Sequence, residues 1–596
     1  MTKIARVTRR AFNASLACSI GFGQTLARSA SLRSADIELA ALAEEYHRAV
    51  LALFPLDATE NTGDARYDAA FEIDISPAHR ERQRALYRRT LDRLGRIDTS
   101  GLDREGKVTH ALVQWDAADR LRMMAYPRHL MPLNQLNCMP VRLAQWSSGN
   151  GSQPLRTSAN YENFLKRLQR LPAWIDQAIS NMREGIRGHV VLPRPVVERI
   201  LAQLDALVLV DLPASPYLAG VGAFPPGVPQ ADRPGLREAY RKTVRDAIAP
   251  ANTRLRDFMR GEYLQAARLT GGLSGMAGGA GWYRLLVQSS TTTDLRPEQI
   301  HEIGLREVAR IGAELEKVKA DFGFSGNLAA FFQSLATRAE LTPFQSDSEV
   351  LAAYTSINDR VKERLPKFFE RAPRAPLEIR AVEHLRRNAV SSHYVSPALD
   401  GSRPGVFFAA FPDARKVSIS RLAALFLHEG QPGHHYQVAL QQETARTDFR
   451  RTYWNDAYGE GWALYAESLG EELGLYGDAA SRLGRLQQEM MRALRLVIDT
   501  GIHAQGWTRE RAISFAREND GSSEDEASRA VDRYLAWPGQ ALAYKIGELK
   551  MLELRERARA RLGSRFDLRA FHTQVLEDGC LPLHLLEAKV SRWLAG

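Results

Sequence analysis

Cysteine is nearly absent from this chain: three in 596 residues, at Cys18, Cys138 and Cys580, with no CxxC pair among them. That excludes a cysteine-ligated metal site and leaves room for at most one disulfide in a mature chain, between Cys138 and Cys580. Long apolar runs are missing too. The mildly apolar segment Ala14 to Ala27 is too short to cross a bilayer. No basic stripe with interleaved aromatics accompanies the formal charge of +10, so nucleic acid is not an expected partner. Half of that charge comes from Lys3, Arg6, Arg9, Arg10 and Arg28 in the first thirty residues, which hold no acid. Pairs such as Arg386-Arg387 and Arg450-Arg451 read as solvated faces. Gly271 to Gly281 carries six glycines in eleven residues, yet no Gly-Lys-Ser/Thr follows, which argues against a phosphate loop. Strand signals are few, and no internal repeat stands out.

What is present is helix. With 44% hydrophobic and 25% charged residues the chain has the composition and length for a large core. Amphipathic spacing predicts helices over 36–54, 78–97 and 103–126, then from Tyr161 to Arg187, Pro195 to Val208 and Arg237 to Leu269. The glycine-rich stretch reads as a loop, either a lid near a cleft or a plain surface loop, before a helix opening near Pro297. Leu377 to Val382, Ser392 to Val395 and Gly405 to Ala410 read as a short sheet, whose edge could pair with extended substrate or serve as a structural ribbon. Helices return from Ser418 to the C-terminus.

The first thirty residues read as an export leader. Thr8-Arg9-Arg10-Ala11-Phe12 fits the twin-arginine pattern ahead of the apolar segment, with cleavage placed after Ala27. The expectation is a leader over 1–30, a helical metallohydrolase domain over 31–596, and a periplasmic or secreted protein with no stable membrane insertion once the leader is gone.

The chemistry concentrates in one stretch. Ser418 to Leu427 predicts a helix, with an N-cap at Ser418 or Ser420, that delivers His428-Glu429 on its last turn. Gly430 and Pro432-Gly433 then break or bulge it, ahead of His434-His435. This is a stretched form of the zinc-hydrolase signature, in which two histidines bind the metal and the glutamate beside the first acts as base. An ideal helix brings i+7 back within about 20° of i and so favours His435 as partner of His428. A bulge at Pro-Gly brings His434 round instead. Periodicity leaves that choice open.

Glu460 and Glu467, seven apart in Glu460-Gly461-Trp462-Ala463-Leu464-Tyr465-Ala466-Glu467, share a helix face. One can bind metal while the other orients a ligand histidine. Glu460 is the expected ligand, because Glu-Gly-aromatic-Ala resembles the way several zinc peptidases present theirs; Glu467 is the expected support. Asp456, one turn before Glu460, is a weaker candidate for such support and reads first as a helix cap or solvated residue.

These motifs, with Asp499-Thr500-Gly501-Ile502-His503, Pro538-Gly539-Gln540-Ala541-Leu542-Ala543-Tyr544-Lys545-Ile546-Gly547 and the segment Gly279 to Arg310, resemble the bacterial family known as domain of unknown function 885 (DUF885). That family is similar in turn to helical zinc peptidases of the thimet-oligopeptidase and angiotensin-converting-enzyme kind. The resemblance implies a mainly α, two-lobed fold with a deep cleft and a small sheet beside the metal helix. It implies Zn²⁺ held by His428, His434 and Glu460, with His435 and Glu467 as alternative or supporting groups. It also implies an oxyanion donor from a late helix, Tyr544 first and His503 second, and Arg533 as a carboxylate binder.

The expected function is therefore a zinc-dependent hydrolase with Glu429 as general base. Short peptides or dipeptide-like amides are the expected substrates. A non-peptide amide or ester hydrolase would use the same residues, and a metal-containing binding protein is the reading from outside enzymology.

Overall fold

Most of the chain is helix, as its apolar spacing requires. The computed structural model describes residues 34–149, 151–208, 211–382, 391–401 and 403–596; the leader and the Arg386-Arg387 pair lie outside these. A helix over 34–53 is followed by Pro77–Leu94 and Arg104–Met123. Ser158–Arg187 opens on a Thr157–Asn160 capping box, in which each side chain satisfies a backbone N–H that the first turn leaves free. Arg194–Val208 comes next. The helix expected from Arg237 to Leu269 begins at Arg233 and reaches Ala266 through two π segments, Val244–Ile248 and Met259–Tyr263.

Apolar side chains collect in two cores. One gathers residues of Ser158–Arg187, Arg194–Val208 and the helices that follow. The other gathers the N-terminal helices, the sheet and the helices around His428. Five helices matter for the site: α1 (Pro297–Asp321), α2 (Leu422–Glu429), α3 (His434–Thr444), α4 (Asp456–Ser468) and α5 (Ala479–His503). A sixth, α6 (Ala543–Leu562), crosses α4. Helix α5 packs along α1 and serves both cores, with Leu486, Met490 and Val497 in the first and Leu496 in the second.

The sheet has three strands, β1 (Leu377–Ala381), β2 (His393–Val395) and β3 (Gly405–Ala409), in the order β1-β3-β2. Strand β3 is central, parallel to β1 and antiparallel to β2. Its Gly-Val-Phe-Phe-Ala run is almost wholly buried, as a strand covered on both faces demands, whereas β1 alternates.

Several expectations change. Ser418 caps a short 3₁₀ turn, Ile419–Arg421, so α2 starts only at Leu422. Asn455, not Asp456, caps α4; the Asp456 carboxylate accepts from Trp454 Nε1 and Gln540 Nε2 instead. The glycine-rich stretch is neither lid nor free loop. A 3₁₀ turn forms at Leu273–Gly275, and a helix starts at Gly279. A Cβ on Gly272 would lie 2.0 Å from the Ile502 carbonyl oxygen, so the glycine lets this segment lie flush on the end of α5. Cys138 and Cys580 are both buried free thiols, one in each core. Among the described residues no helix is long and apolar enough to cross a membrane.

Candidate metal centre

Helix α2 ends at Glu429 because Gly430 leaves helical geometry, at φ −100° and ψ −119°. Four residues later α3 begins. The turn between them folds so tightly that a Cβ on Gly433 would lie 2.1 Å from the His428 carbonyl oxygen and 2.2 Å from that of Leu427. Only glycine fits there. Trp462 Nε1 on α4 donates to the Pro432 carbonyl at 2.8 Å and fastens the turn to the next helix. The result carries His434 back to His428, with ring centroids 4.8 Å apart at 81°.

His435 goes the other way. Its Nδ1 lies 3.2 Å from Tyr394 Oη on β2, and a Cβ on Gly405 would meet the same nitrogen at 2.4 Å. Burial pushes its pKa down to about 4, so this imidazole is a neutral packing group between α3 and the sheet. The straight-helix argument for His435 fails because the helix is not continuous.

Helix α4 supplies the third group. It crosses α6 where Gly461 meets Gly547; a Cβ on Gly461 would lie 2.5 Å from Gly547 Cα. This close crossing sets the position of Glu460. Its Oε2 lies 3.5 Å from His428 Nε2 and 3.6 Å from His434 Nε2. Ligand atoms of His428, His434 and Glu460 all fall within 4.8 Å of one another. Glu467, two turns along α4, accepts from His428 Nδ1 at 2.8 Å, which leaves Nε2 to face Glu460.

Burial disfavours a charged His428, but hydrogen bonds to Glu460 and Glu467 overcome it and hold its pKa up at about 9. Burial likewise works against the Glu460 carboxylate, and the two imidazoles pull it well below the usual range. Two nitrogens and one carboxylate oxygen, converging in a buried wall with one imidazole oriented from behind, form a donor set that fits a divalent ion such as Zn²⁺. Glu429 is buried next to the trio; burial raises its pKa, with the Glu460 charge adding to the effect and His428 and His434 opposing it.

The trio and Glu429 line a cavity of about 1120 Å³. Tyr544 and Arg533 line it as well, and Arg533 Nη2 donates to Gln540 Oε1 at 3.1 Å. So do His393 and Tyr394 of β2, with Ser391 and Ser392 just before it. His503 does not. Its Nδ1 accepts from the Leu273 amide at 3.1 Å and its Nε2 pairs with the Tyr534 carbonyl at 3.0 Å, so both nitrogens are spent on holding backbone. The motif that ends in His503 is structural in its other members too. Asp499 accepts from Tyr283 Oη and the Gly539 amide, and the Thr500 hydroxyl pairs with His301 Nδ1.

Three groups in the cavity wall had no motif to announce them: Gln488, Arg492 and Arg495, on α5. Their spacing of i, i+4 and i+7 puts them on one face of α5, with Gln488 and Arg492 buried. The helix also carries Arg482, Arg485, Gln487 and Glu489, so nothing in the sequence singles these three out.

The DUF885 family profile, described as a bacterial protein of unknown function, matches residues 55–590. A crystal structure of a candidate lipoprotein from Colwellia psychrerythraea superposes with a TM-score of 0.84 at 28% identity, covering 94% of this chain and 99% of that one. A candidate lipoprotein of unknown function from Shewanella oneidensis gives a TM-score of 0.72 at 18% identity, over 94% of this chain and 100% of that one, a likeness of fold alone. No curated protein matches the chain.

Proposed function

The chain belongs to the DUF885 family, whose description assigns no reaction, and from the site we propose that it is a zinc-dependent hydrolase of short peptides or peptide-like amides. The observation that carries this reading is the convergence of His428, His434 and Glu460 beside Glu429 in the wall of a single cavity. A purely structural site has no need of an adjacent base.

His428, His434 and Glu460 would hold the ion. When bound, Zn²⁺ supplies Lewis-acid polarisation of a carbonyl and lowers the pKa of water to near 7. The rest is the work of the chain's own groups. Glu429 takes the proton of the attacking water at its carboxylate and returns it to the leaving nitrogen. The Tyr544 hydroxyl donates to the oxyanion that develops at the substrate carbonyl. Glu467 keeps the His428 Nδ1 proton in place, so that Nε2 remains the free nitrogen.

The preference for peptides rests on the sheet. Strand β2 lies at the sheet edge and its residues line the cavity, where an extended backbone can add alongside. The two separate hydrophobic cores support a two-lobed fold of the helical zinc-peptidase kind. Export follows from the twin-arginine pattern and is supported by the likeness to a candidate lipoprotein.

The test is metal analysis of the purified mature protein, joined to a peptide-library digest with and without chelator. One zinc per chain with chelator-sensitive cleavage is expected. Zinc without any cleavage of peptides moves the assignment to another amide or ester. Absence of metal after zinc is supplied removes it altogether.

A further inference from the structure

The metal cavity is cationic. Six lysine and arginine side chains line it against three carboxylates, Asp413, Glu429 and Glu460. A metal ion would add further positive charge. Such a lining raises the local concentration of anions.

Arg495 stands apart from the other arginines. Its guanidinium lies over the Tyr544 ring, 4.4 Å from the centroid, so the aromatic face fixes its plane. Near enough to Glu460 to feel its charge, it is nevertheless not used up by it. Nε and Nη1 are both buried, and neither has a hydrogen-bond partner among the described residues. Arg492 also keeps a buried, unpartnered Nε, but it gives Nη1 to Gln488 and sets Nη2 at 3.6 Å from Glu467. Guanidinium N–H groups left buried and unpaired cost stability. A carboxylate entering the cavity can offset that cost through charge-assisted hydrogen bonds to the guanidinium.

We propose that Arg495 is the seat for a carboxylate of the substrate, with Arg533 as a flanking charge. This deepens the hydrolase reading and rests on it for the word substrate. The carboxylate is either the chain terminus or an acidic side chain beside the scissile bond.

The full chain is titrated by calorimetry with three probes: N-acetyl-alanyl-alanine, its neutral amide, and N-acetyl-glutamyl-alanine amide. Each is run in chelator and again with zinc, on wild type, Arg495→Gln and Arg495→Lys. The free acid should bind wild type in chelator, and Arg495→Gln should weaken it by about 10- to 100-fold. Arg495→Lys should fall between the two, and the neutral amide should be insensitive to either change. Binding of the acid alone identifies the chain terminus; binding of the glutamyl amide identifies the side chain. Equal affinity for acid and neutral amide, no binding of either acid, or a wild-type Arg495→Gln overturns the proposal. Should Arg495→Gln fail to fold, the acid-against-amide comparison on wild type decides. Because the chelator arm needs no turnover, the two ideas fail separately. Acid binding without cleavage in zinc sinks the peptidase and leaves the carboxylate seat. Cleavage with no preference for an acid does the reverse.

Discussion

His428 Nδ1 lies 2.8 Å from Glu467 Oε1, and that bond decides which nitrogen of His428 is turned toward Glu460. The two glutamates of one helix are thereby assigned different tasks. Glu467→Gln should weaken zinc binding by about 10- to 100-fold by releasing the imidazole, while Glu460→Ala should weaken it more by deleting a ligand. Equilibrium dialysis against a zinc buffer measures both. A neutral Glu460→Ala beside a damaging Glu467→Ala would reverse the two roles.

Glu429 is expected to move protons without holding metal. Glu429→Gln should keep zinc at wild-type stoichiometry while the turnover number falls at least about 10²-fold. Unchanged turnover removes Glu429 from the mechanism. Lost zinc would make it a ligand.

The crossing of α4 and α6 leaves no space for a side chain. In Gly461→Ala the new methyl would sit 2.5 Å from Gly547 Cα and 2.6 Å from its carbonyl carbon, backbone atoms that cannot swing aside. A cost of about 1–3 kcal/mol follows from overpacking. Because Glu460 is the adjacent residue, the variant should lose zinc affinity along with melting temperature. A variant with both unchanged would show that the crossing has slack.

Asp499 gives a pH signature. Burial pushes its pKa up to about 7, against the opposing hydrogen bonds from Tyr283 and Gly539. Below about pH 4 the folded and unfolded chains both keep the proton, and this residue adds no slope. As pH rises toward 7 the unfolded chain ionises first, so stability falls by up to about 1.4 kcal/mol per unit. Asp499→Asn should remove that part of the decline in melting temperature between pH 4 and 7. If wild type and variant change in parallel, Asp499 titrates normally.

How far the site could be read from sequence varied with the kind of residue. His428, Glu429 and Glu460 were legible because their motifs state both chemistry and helix face. His503 was misleading for the same reason: it ends a motif of chemically capable residues, yet both its nitrogens hold backbone. Arg495 was invisible, since an arginine on a long amphipathic helix ordinarily faces solvent, and only packing against two cores turns that face inward.

Residue order alone determined the helical class, the three short strands and the break after Glu429, because these follow from local periodicity and from glycine and proline. Tertiary structure decided between His434 and His435. That choice depends on Gly433 folding against the His428 carbonyl, on Trp462 tying the turn from another helix, and on β2 claiming His435. The last two contacts join segments whose mutual distance no local pattern encodes.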